Sequence, residues 1–493
     1  MSRGRTNGSR PLSFPAIWEQ QMNDITFGTG GFRGVIGEDF TKENVQRIAQ
    51  GLADMVASDG VKTTVPIGFD NRFLSDAFAR WMAEVLAANG ITCLLYDSPV
   101  PTPMVMCAVR DEGCAYGLMI TASHNPYMYN GVKLFVRGGA DADVAVTRRL
   151  EAFTRDVKEV RALSDAQLYA SPLVKAFCNR REYLSHIEDF LDPSIENNRL
   201  HLLFDNLFGV AVVGLKPLFD RYKLKKYVIL HAERDALFGS RLPNPTRQMI
   251  APLKEEVVRG KFDYAMATDS DGDRLGILDE QGNYVSSNDI LACLYYYLVT
   301  YRGMKGDVVK NIATSVILDL LAERLGFACH TVDVGFKNIS SKMRETDALI
   351  GGESSGGLTC RGYLAGKDST FSGALFMEMR IRMDKPVSEI VKEVHAFSGY
   401  TYACVEDELR LPAMPEEGAF ARLTPDFGRE VVRFEQLNNN YKWHFAGGCW
   451  GLLRLSGTEP VVRVFAEAET PAAAQNIADV LKKSVLSKEI GRA

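Results

Sequence analysis

The sequence predicts an α/β protein of several similar units followed by a smaller α+β domain, and three observations carry that prediction. The chain is 493 residues long, about three times the ~150 residues typical of one domain. Helix and strand patterns alternate with short connections through the first 400 residues, the grammar of sheets covered by helices. Beyond that point strands and helix are segregated, which suits α+β.

Taken in order, Thr41 is placed to cap a helix whose apolar face is Val45, Ile48, Leu52 and Met55. Val65–Phe69 reads as a buried strand, Phe78, Trp81, Met82, Val85 and Leu86 recur at helical spacing, and Gly90 closes that helix. Strands follow at Ile91–Tyr96, Tyr116–Ile120 and Val132–Val136, in an order that argues for a parallel sheet. A second cycle runs through strand His201–Phe204, helix Val210–Tyr222, and strands Tyr227–Leu230, Phe262–Ala267 and Leu275–Leu278. A third has helix Asp289–Tyr301, strand Val308–Ala313, helix Val316–Leu325 and strand Thr331–Val334. After helix Val387–Phe397 come strands Val431–Phe434, Trp443–Phe445, Leu452–Leu455 and Val461–Ala466, then a helix from Pro471. The repetition is architectural, without a residue-level repeat, and the expected domains are 1–180, 181–285, 286–400 and 401–493.

Composition narrows the function. Apolar residues are 46% and charged residues 24%, the balance of a soluble globular protein, which excludes wholesale disorder, collagen and coiled coil. The 57 Lys and Arg against 62 Asp and Glu leave a net charge of −5, so there is no global attraction for nucleic acid or an anionic membrane. No apolar run reaches the ~18 residues of a membrane span, and Met1–Phe14 carries no signal-peptide core. Nine cysteines without C-x-x-C and seven histidines without H-E-x-x-H argue for reduced thiols in a cytoplasmic protein and against a zinc site.

Five segments could carry chemistry. Thr121-Ala122-Ser123-His124-Asn125-Pro126 follows an apolar strand and precedes a turn at Tyr129-Asn130-Gly131. It would set the Ser123 hydroxyl at the mouth of the sheet, with Lys133 further on; the alternative is a polar turn. Asp269-Ser270-Asp271-Gly272-Asp273-Arg274 also follows an apolar strand. In extended backbone its three carboxylates face one way, which suits a divalent cation with oxygen ligands. A solvated acidic loop and an aspartyl-phosphate phosphatase on Asp269 are the alternatives. An EF-hand is excluded, since Arg274 stands where the loop glycine belongs. In Gly351-Gly352-Glu353-Ser354-Ser355-Gly356-Gly357, Glu353 and Ser355 have the hydrogen-bonding types that vicinal sugar hydroxyls require; the alternative is a flexible loop. Arg454-Leu455-Ser456-Gly457-Thr458-Glu459-Pro460, with Arg463, would make a phosphate cradle from two guanidiniums, hydroxyls and glycine N–H groups; the alternative is a surface turn with a structural Arg. Phe27-Gly28-Thr29-Gly30-Gly31-Phe32-Arg33-Gly34 lacks the third glycine of a dinucleotide loop, and Arg33 reads as an anion contact.

Together, and in this order, the five segments resemble the α-D-phosphohexomutase superfamily, the phosphoglucomutases and phosphomannomutases, over nearly the whole chain. The resemblance implies four domains around a central cleft, the first three similar mixed-sheet α/β units and the fourth a smaller α+β domain. It implies a phosphoserine at Ser123 and one Mg²⁺ held by Ser123, Asp269, Asp271 and Asp273. Arg33 and Arg274 would neutralise the transferring phosphoryl, and Lys133 and His124 are the candidates, in that order, for the base. Glu353, Ser355 and Lys337 would hold the sugar; Arg454, Ser456, Gly457, Thr458 and Arg463 would hold the phosphate that does not react. The expected reaction is α-D-glucose 1-phosphate to glucose 6-phosphate through hexose 1,6-bisphosphate, with mannose and glucosamine phosphates as alternatives. The expected partners are small phosphosugars, with neither nucleic acid nor membrane, on a monomer or homodimer. Three departures stand out: Gly357 where phosphomannomutase types often carry His, Lys367-Asp368-Ser369 for K-D-G, and Asp205-Asn206-Leu207-Phe208-Gly209 in place of a glycine-rich turn.

Overall fold

The computed structural model describes residues 25–28, 30–195, 199–224, 226–416, 418–455 and 460–490. Four sheets follow one another along the chain. The first has the order Phe32–Val35, Tyr129–Val136, Tyr116–Ile120, Thr64–Phe69, Thr92–Tyr96, Val174–Phe177, with Ala140–Asp141 beside Tyr129–Val136. The second is Tyr284–Val285, Leu275–Leu278, Tyr264–Thr268, His201–Asp205, Lys226–Leu230. Cys329–Val332, Val308–Asn311, Ile350–Gly352 and Leu358–Cys360 form the third. The fourth, Ala403–Arg410, Val461–Ala468, Trp450–Leu455, Asn440–Phe445, Val431–Leu437, is antiparallel throughout.

The first three sheets share one wiring. In each, two parallel strands neighbour a third parallel strand, and that third strand turns through a short loop into an antiparallel return. The three loops are 121–128, 269–274 and 353–357, the same position in three units. This corrects the expectation of a parallel sheet in the first unit: Tyr129–Val136 runs antiparallel to Tyr116–Ile120. Eight intervening residues are too few for a parallel crossover, which needs a dozen or more. Tyr129, Asn130 and Gly131 are correspondingly strand and not turn, paired with Val35, Gly34 and Arg33.

Local signals set the helix ends. Thr41 caps Lys42–Asp59 by accepting from the Asn44 N–H at 3.2 Å, and Asp368 caps Ser369–Met383 by accepting from Thr370 and Phe371. Helix Ser369–Met383 escapes a periodicity reading because it is buried nearly all round. Strand Ala403–Arg410 escapes it because three consecutive acidic residues, Glu406, Asp407 and Glu408, break the apolar alternation. One apolar core runs through the three α/β units. The last domain has its own, with Tyr441, Trp443, Leu453 and Val464 against Ile477 and Leu481 of helix Pro471–Ile490. Trp450, Leu452 and Phe465 seat it on Ile312 and Ala313 of the third unit.

Candidate active site

The loop after Tyr116–Ile120 puts Ser123 in the left-handed region, φ 50°, a strained conformation for a residue with a Cβ. The Ser123 N–H donates to Thr121 Oγ1 at 2.8 Å. Below the loop lies Arg72, fully buried. Its guanidinium donates to the carbonyls of Asn125 at 2.6 Å, Pro126 at 2.8 Å and Tyr129 at 3.0 Å, and to that of Ser123. Asp70 ion-pairs with Arg72 at 3.4 Å and accepts from Thr121 at 2.6 Å. Ser123 Oγ is thereby aimed at Asp269, donating to Oδ2 at 3.0 Å, with His124 Nδ1 at 3.4 Å.

The acidic segment converges by a different route from the one its spacing suggested. It is a turn, not extended backbone: the Gly272 N–H donates to the Asp269 carbonyl and Gly272 has φ 71°. Asp269 Oδ1 accepts the N–H groups of Asp273 at 2.9 Å and Arg274 at 3.0 Å. The carboxylates of Asp269, Asp271 and Asp273 offer oxygens within 4.8 Å of one another, all buried. Lys133 Nζ enters the cluster at 2.6 Å from Asp271 and 2.9 Å from Asp273. Lys367 reaches Asp273 at 3.1 Å, Thr102 donates to Asp271 at 2.6 Å, and Arg274 stands 3.9 Å from Asp273.

The electrostatics follow from burial and crowding. Burial, then Asp273 and Asp271, push Asp269 well above the carboxylate range. Burial opposes charge on Asp273 too, but Lys133, Lys367 and Arg274 hold it well below that range. Lys133 likewise loses by burial but is raised overall by Asp271 and Asp273. Burial, then Arg274 and Arg33, push His124 well below the usual histidine value, so it is neutral. Burial, then Arg274, bring Arg33 down to about 10, and its Nη1 donates to Asn125 at 2.8 Å. The Lys133 ammonium thus stands where a cation belongs, while Asp271 Oδ1 and Asp273 Oδ1 are buried without a hydrogen-bond partner. Three buried carboxylates, two of them with an oxygen that accepts no hydrogen bond, fit a hard divalent ion such as Mg²⁺.

The other expected residues form a second group. Glu353, buried, accepts from Gly335 N–H at 3.1 Å and Asn311 at 3.3 Å, and Ser355 donates to its other oxygen at 3.3 Å. Lys337 is the second residue of helix Phe336–Thr346; burial lowers it while Asp141, Asp143 and Asp333 raise it. Arg454 and Arg463 sit abreast on paired strands. Arg454 is lowered by burial and then by Arg463, and it feels Glu353 of the sugar loop. Ser456, Gly457 and Thr458 lie outside the described residues.

Arg72, Asp70 and Thr102 were absent from the sequence reading. Asp70-Asn71-Arg72 does follow a buried strand directly, the same signal that marks Asp269. Two departures gain a physical account. Leu207 and Phe208 take φ 45° and 58° where glycine would be easy. Asp205 accepting the Leu207 N–H and Asn71 gripping the Phe208 and Gly209 carbonyls at 2.8 Å hold them there. Gly357 leaves room for Lys367, since a Cβ at 357 would stand 2.1 Å from Lys367 Cδ.

Family models match in sequence order: the phosphoglucomutase/phosphomannomutase α/β/α domains I, II and III at residues 24–161, 181–282 and 286–397, and the C-terminal domain at 425–484. A Methanopyrus kandleri protein named "Probable phosphoglucosamine mutase" is 28% identical, with 92% of this chain and 96% of that one covered. A phosphoglucomutase/phosphomannomutase of Thermococcus kodakarensis is 27% identical over 90% and 94%. The solved structure titled "putative phosphomannomutase" from Thermus thermophilus superposes with TM-score 0.83 at 31% identity, covering 94% of this chain and 99% of that one.

Proposed function

Because the chain belongs to the phosphoglucomutase/phosphomannomutase family of the α-D-phosphohexomutase superfamily, an enzyme family of isomerases, we propose that it moves a phosphoryl group between the 1- and 6-positions of a hexose through Ser123. The observation that carries this reading is the aim of Ser123 Oγ at Asp269, 3.0 Å away, on the edge of the buried acidic triplet.

In its phosphorylated form Ser123 gives its phosphoryl to the free sugar hydroxyl; the bond to Oγ breaks as the bond to the sugar oxygen forms. The bisphosphate then turns over and returns its other phosphoryl to Ser123. One Mg²⁺ on Asp269, Asp271, Asp273 and the phosphoserine would supply charge neutralisation. Arg33 and Arg274 spread the charge of the loose transition state. Proton acceptance falls to Lys133 first and His124 second: Mg²⁺ on the triplet would take over the carboxylates that the Lys133 ammonium now touches, while burial, Arg274 and Arg33 make His124 a weak base. Glu353, Ser355 and Lys337 grip the sugar. Arg454 and Arg463, with Ser456, Gly457 and Thr458, hold the distant phosphate and so position the reacting oxygen. On this reading domains 1–180, 181–285, 286–400 and 401–493 bring one loop each. An aspartyl-phosphate phosphatase is disfavoured, since Asp269 spends one oxygen on two backbone N–H groups and faces Ser123 with the other.

Glucose 1-phosphate is the substrate we assign, on the Gly356-Gly357 ending of the sugar loop, where Lys367 fills the space beside residue 357. Glucosamine phosphate is the second reading, favoured by the name of the Methanopyrus relative. Rates on glucose, mannose and glucosamine 1-phosphates, with the matching bisphosphate and Mg²⁺, separate them. Equal rates on all three defeat the choice of glucose. Ser123→Ala should abolish turnover and remove the mass of one phosphoryl group from the intact protein; retained mutase activity would end the proposal.

A further inference from the structure

We propose that Cys107, Asp111 and His186 form a second metal site, suited to zinc, which ties the first α/β unit to the helix that opens the second. The scattered histidines carry no zinc signature in sequence; the fold brings one of them to a thiol and a carboxylate. Cys107 and Asp111 are four residues apart on helix Thr102–Asp111, so their side chains share a face. His186 projects from the facing helix Arg180–Phe190. Cys107 Sγ lies 3.1 Å from Asp111 Oδ2, and His186 Nε2 lies 2.8 Å from the same oxygen. All three ligand atoms fall within 4.8 Å of one another.

Tetrahedral zinc, with bonds of ~2.0 Å to nitrogen or oxygen and ~2.3 Å to sulfur, separates its ligand atoms by about 3.3–3.5 Å, so the two contacts to Asp111 Oδ2 need open by only about half an ångström. Arg110 Nε donates to Asp111 Oδ1 at 2.8 Å, fixing the carboxylate and leaving Oδ2 to the cluster. Burial and Asp111 hold the Cys107 thiol protonated in the metal-free site, and Arg110 Nη2, 3.6 Å from Sγ, offsets them only in part, so the thiolate forms with the metal. A surface pocket lined by Asp111, Arg181, Glu182, Ser185 and His186 opens the site to solvent. Glu182 lies one helical turn before His186, so it or a water can complete four-coordination. Sulfur, imidazole nitrogen and one carboxylate select a borderline metal and not Mg²⁺, in contrast with the all-oxygen triplet. On binding, the Cys107 proton leaves to solvent and the thiolate takes the metal. The consequence is mechanical. Thr102, at the start of the same helix, donates to Asp271, so the metal would brace the element that supports the acidic triplet.

The test uses the full chain in excess Mg²⁺, which fills oxygen sites but not this one. Cobalt(II) should bind with one equivalent and give a thiolate-to-cobalt charge-transfer band with intense tetrahedral ligand-field bands. Cys107→Ser should lose the charge-transfer band. His186→Ala, at a partly exposed position, should keep the fold and weaken cobalt and zinc binding by at least about tenfold. Zinc should raise the melting temperature of the unmodified chain and leave that of His186→Ala unmoved. Absence of the band, its survival in Cys107→Ser, or an equal zinc response in both proteins overturns the proposal. None of these readouts depends on mutase turnover.

Discussion

Replacing Arg72 by Met tests how the Ser123 loop is held. The Met side chain keeps much of the apolar stem and deletes the charged fork, whose guanidinium carbon lies 5.0 Å over the Phe238 ring. Four carbonyls of the 123–129 segment then lose their shared donor and Asp70 loses its cation. Each group left unpaired in the interior costs about 1–3 kcal/mol. Summing them overstates the effect, because water enters and the loop relaxes; removing one partner of a buried ion pair costs about 3–5 kcal/mol, and we take that figure. The loss falls on the first unit and on the strained Ser123 first. Urea unfolding should show a transition destabilised by about 3–5 kcal/mol, and limited proteolysis should cut within 121–128 much faster. Turnover should fall by about a hundredfold or more, since an ångström of misplacement at the nucleophile is worth that much. A variant within about 1 kcal/mol of the parent, with parental kcat, would refute the claim that Arg72 positions the loop.

Two further outcomes are expected. Gly357→Ala sets a Cβ 2.1 Å from Lys367 Cδ, and the lysine swings aside and gives up Asp273; melting should shift little, while kcat falls about tenfold or more, a change of about 1.4 kcal/mol in the barrier. Burial pushes the Asp368 carboxyl up to about 6 against a reference of 3.8, despite hydrogen bonds from Tyr363 and Tyr183. The folded state therefore holds this proton more tightly than the unfolded chain, so the group's cost is absent below pH 4, grows between pH 4 and 6, and is complete above. Asp368→Asn should gain on the parent protein by up to about 3 kcal/mol as pH rises from 4 to 7, read by urea denaturation at each pH; a difference independent of pH would contradict this.

Much of the site was legible because catalysis demands rare residue types in short runs. Three aspartates within five residues, Ser-His after a buried strand and two arginines around a glycine turn are costly arrangements that announce themselves. Arg72 and Thr102 did not stand out, because a single polar residue after a strand has no local pattern; its importance lies in partners about fifty and one hundred and seventy residues away. Strands Ile350–Gly352 and Leu358–Cys360 stayed hidden for a related reason, being three residues each, too short to show a period.

Composition and pattern by themselves determined the alternation of elements, the fold class and the chemical types at the reacting centre, because helix caps, strand runs and charged clusters are encoded within a few residues of one another. Tertiary structure alone decided that three loops occupy one equivalent position in three units, and that the acidic triplet converges through a turn. It also decided that Lys133 reaches two of those carboxylates and that His124 is buried among the charges of Arg274 and Arg33. Those outcomes depend on which strand pairs with which and on how deeply each charge is buried, and neither quantity is carried by any local stretch of the chain.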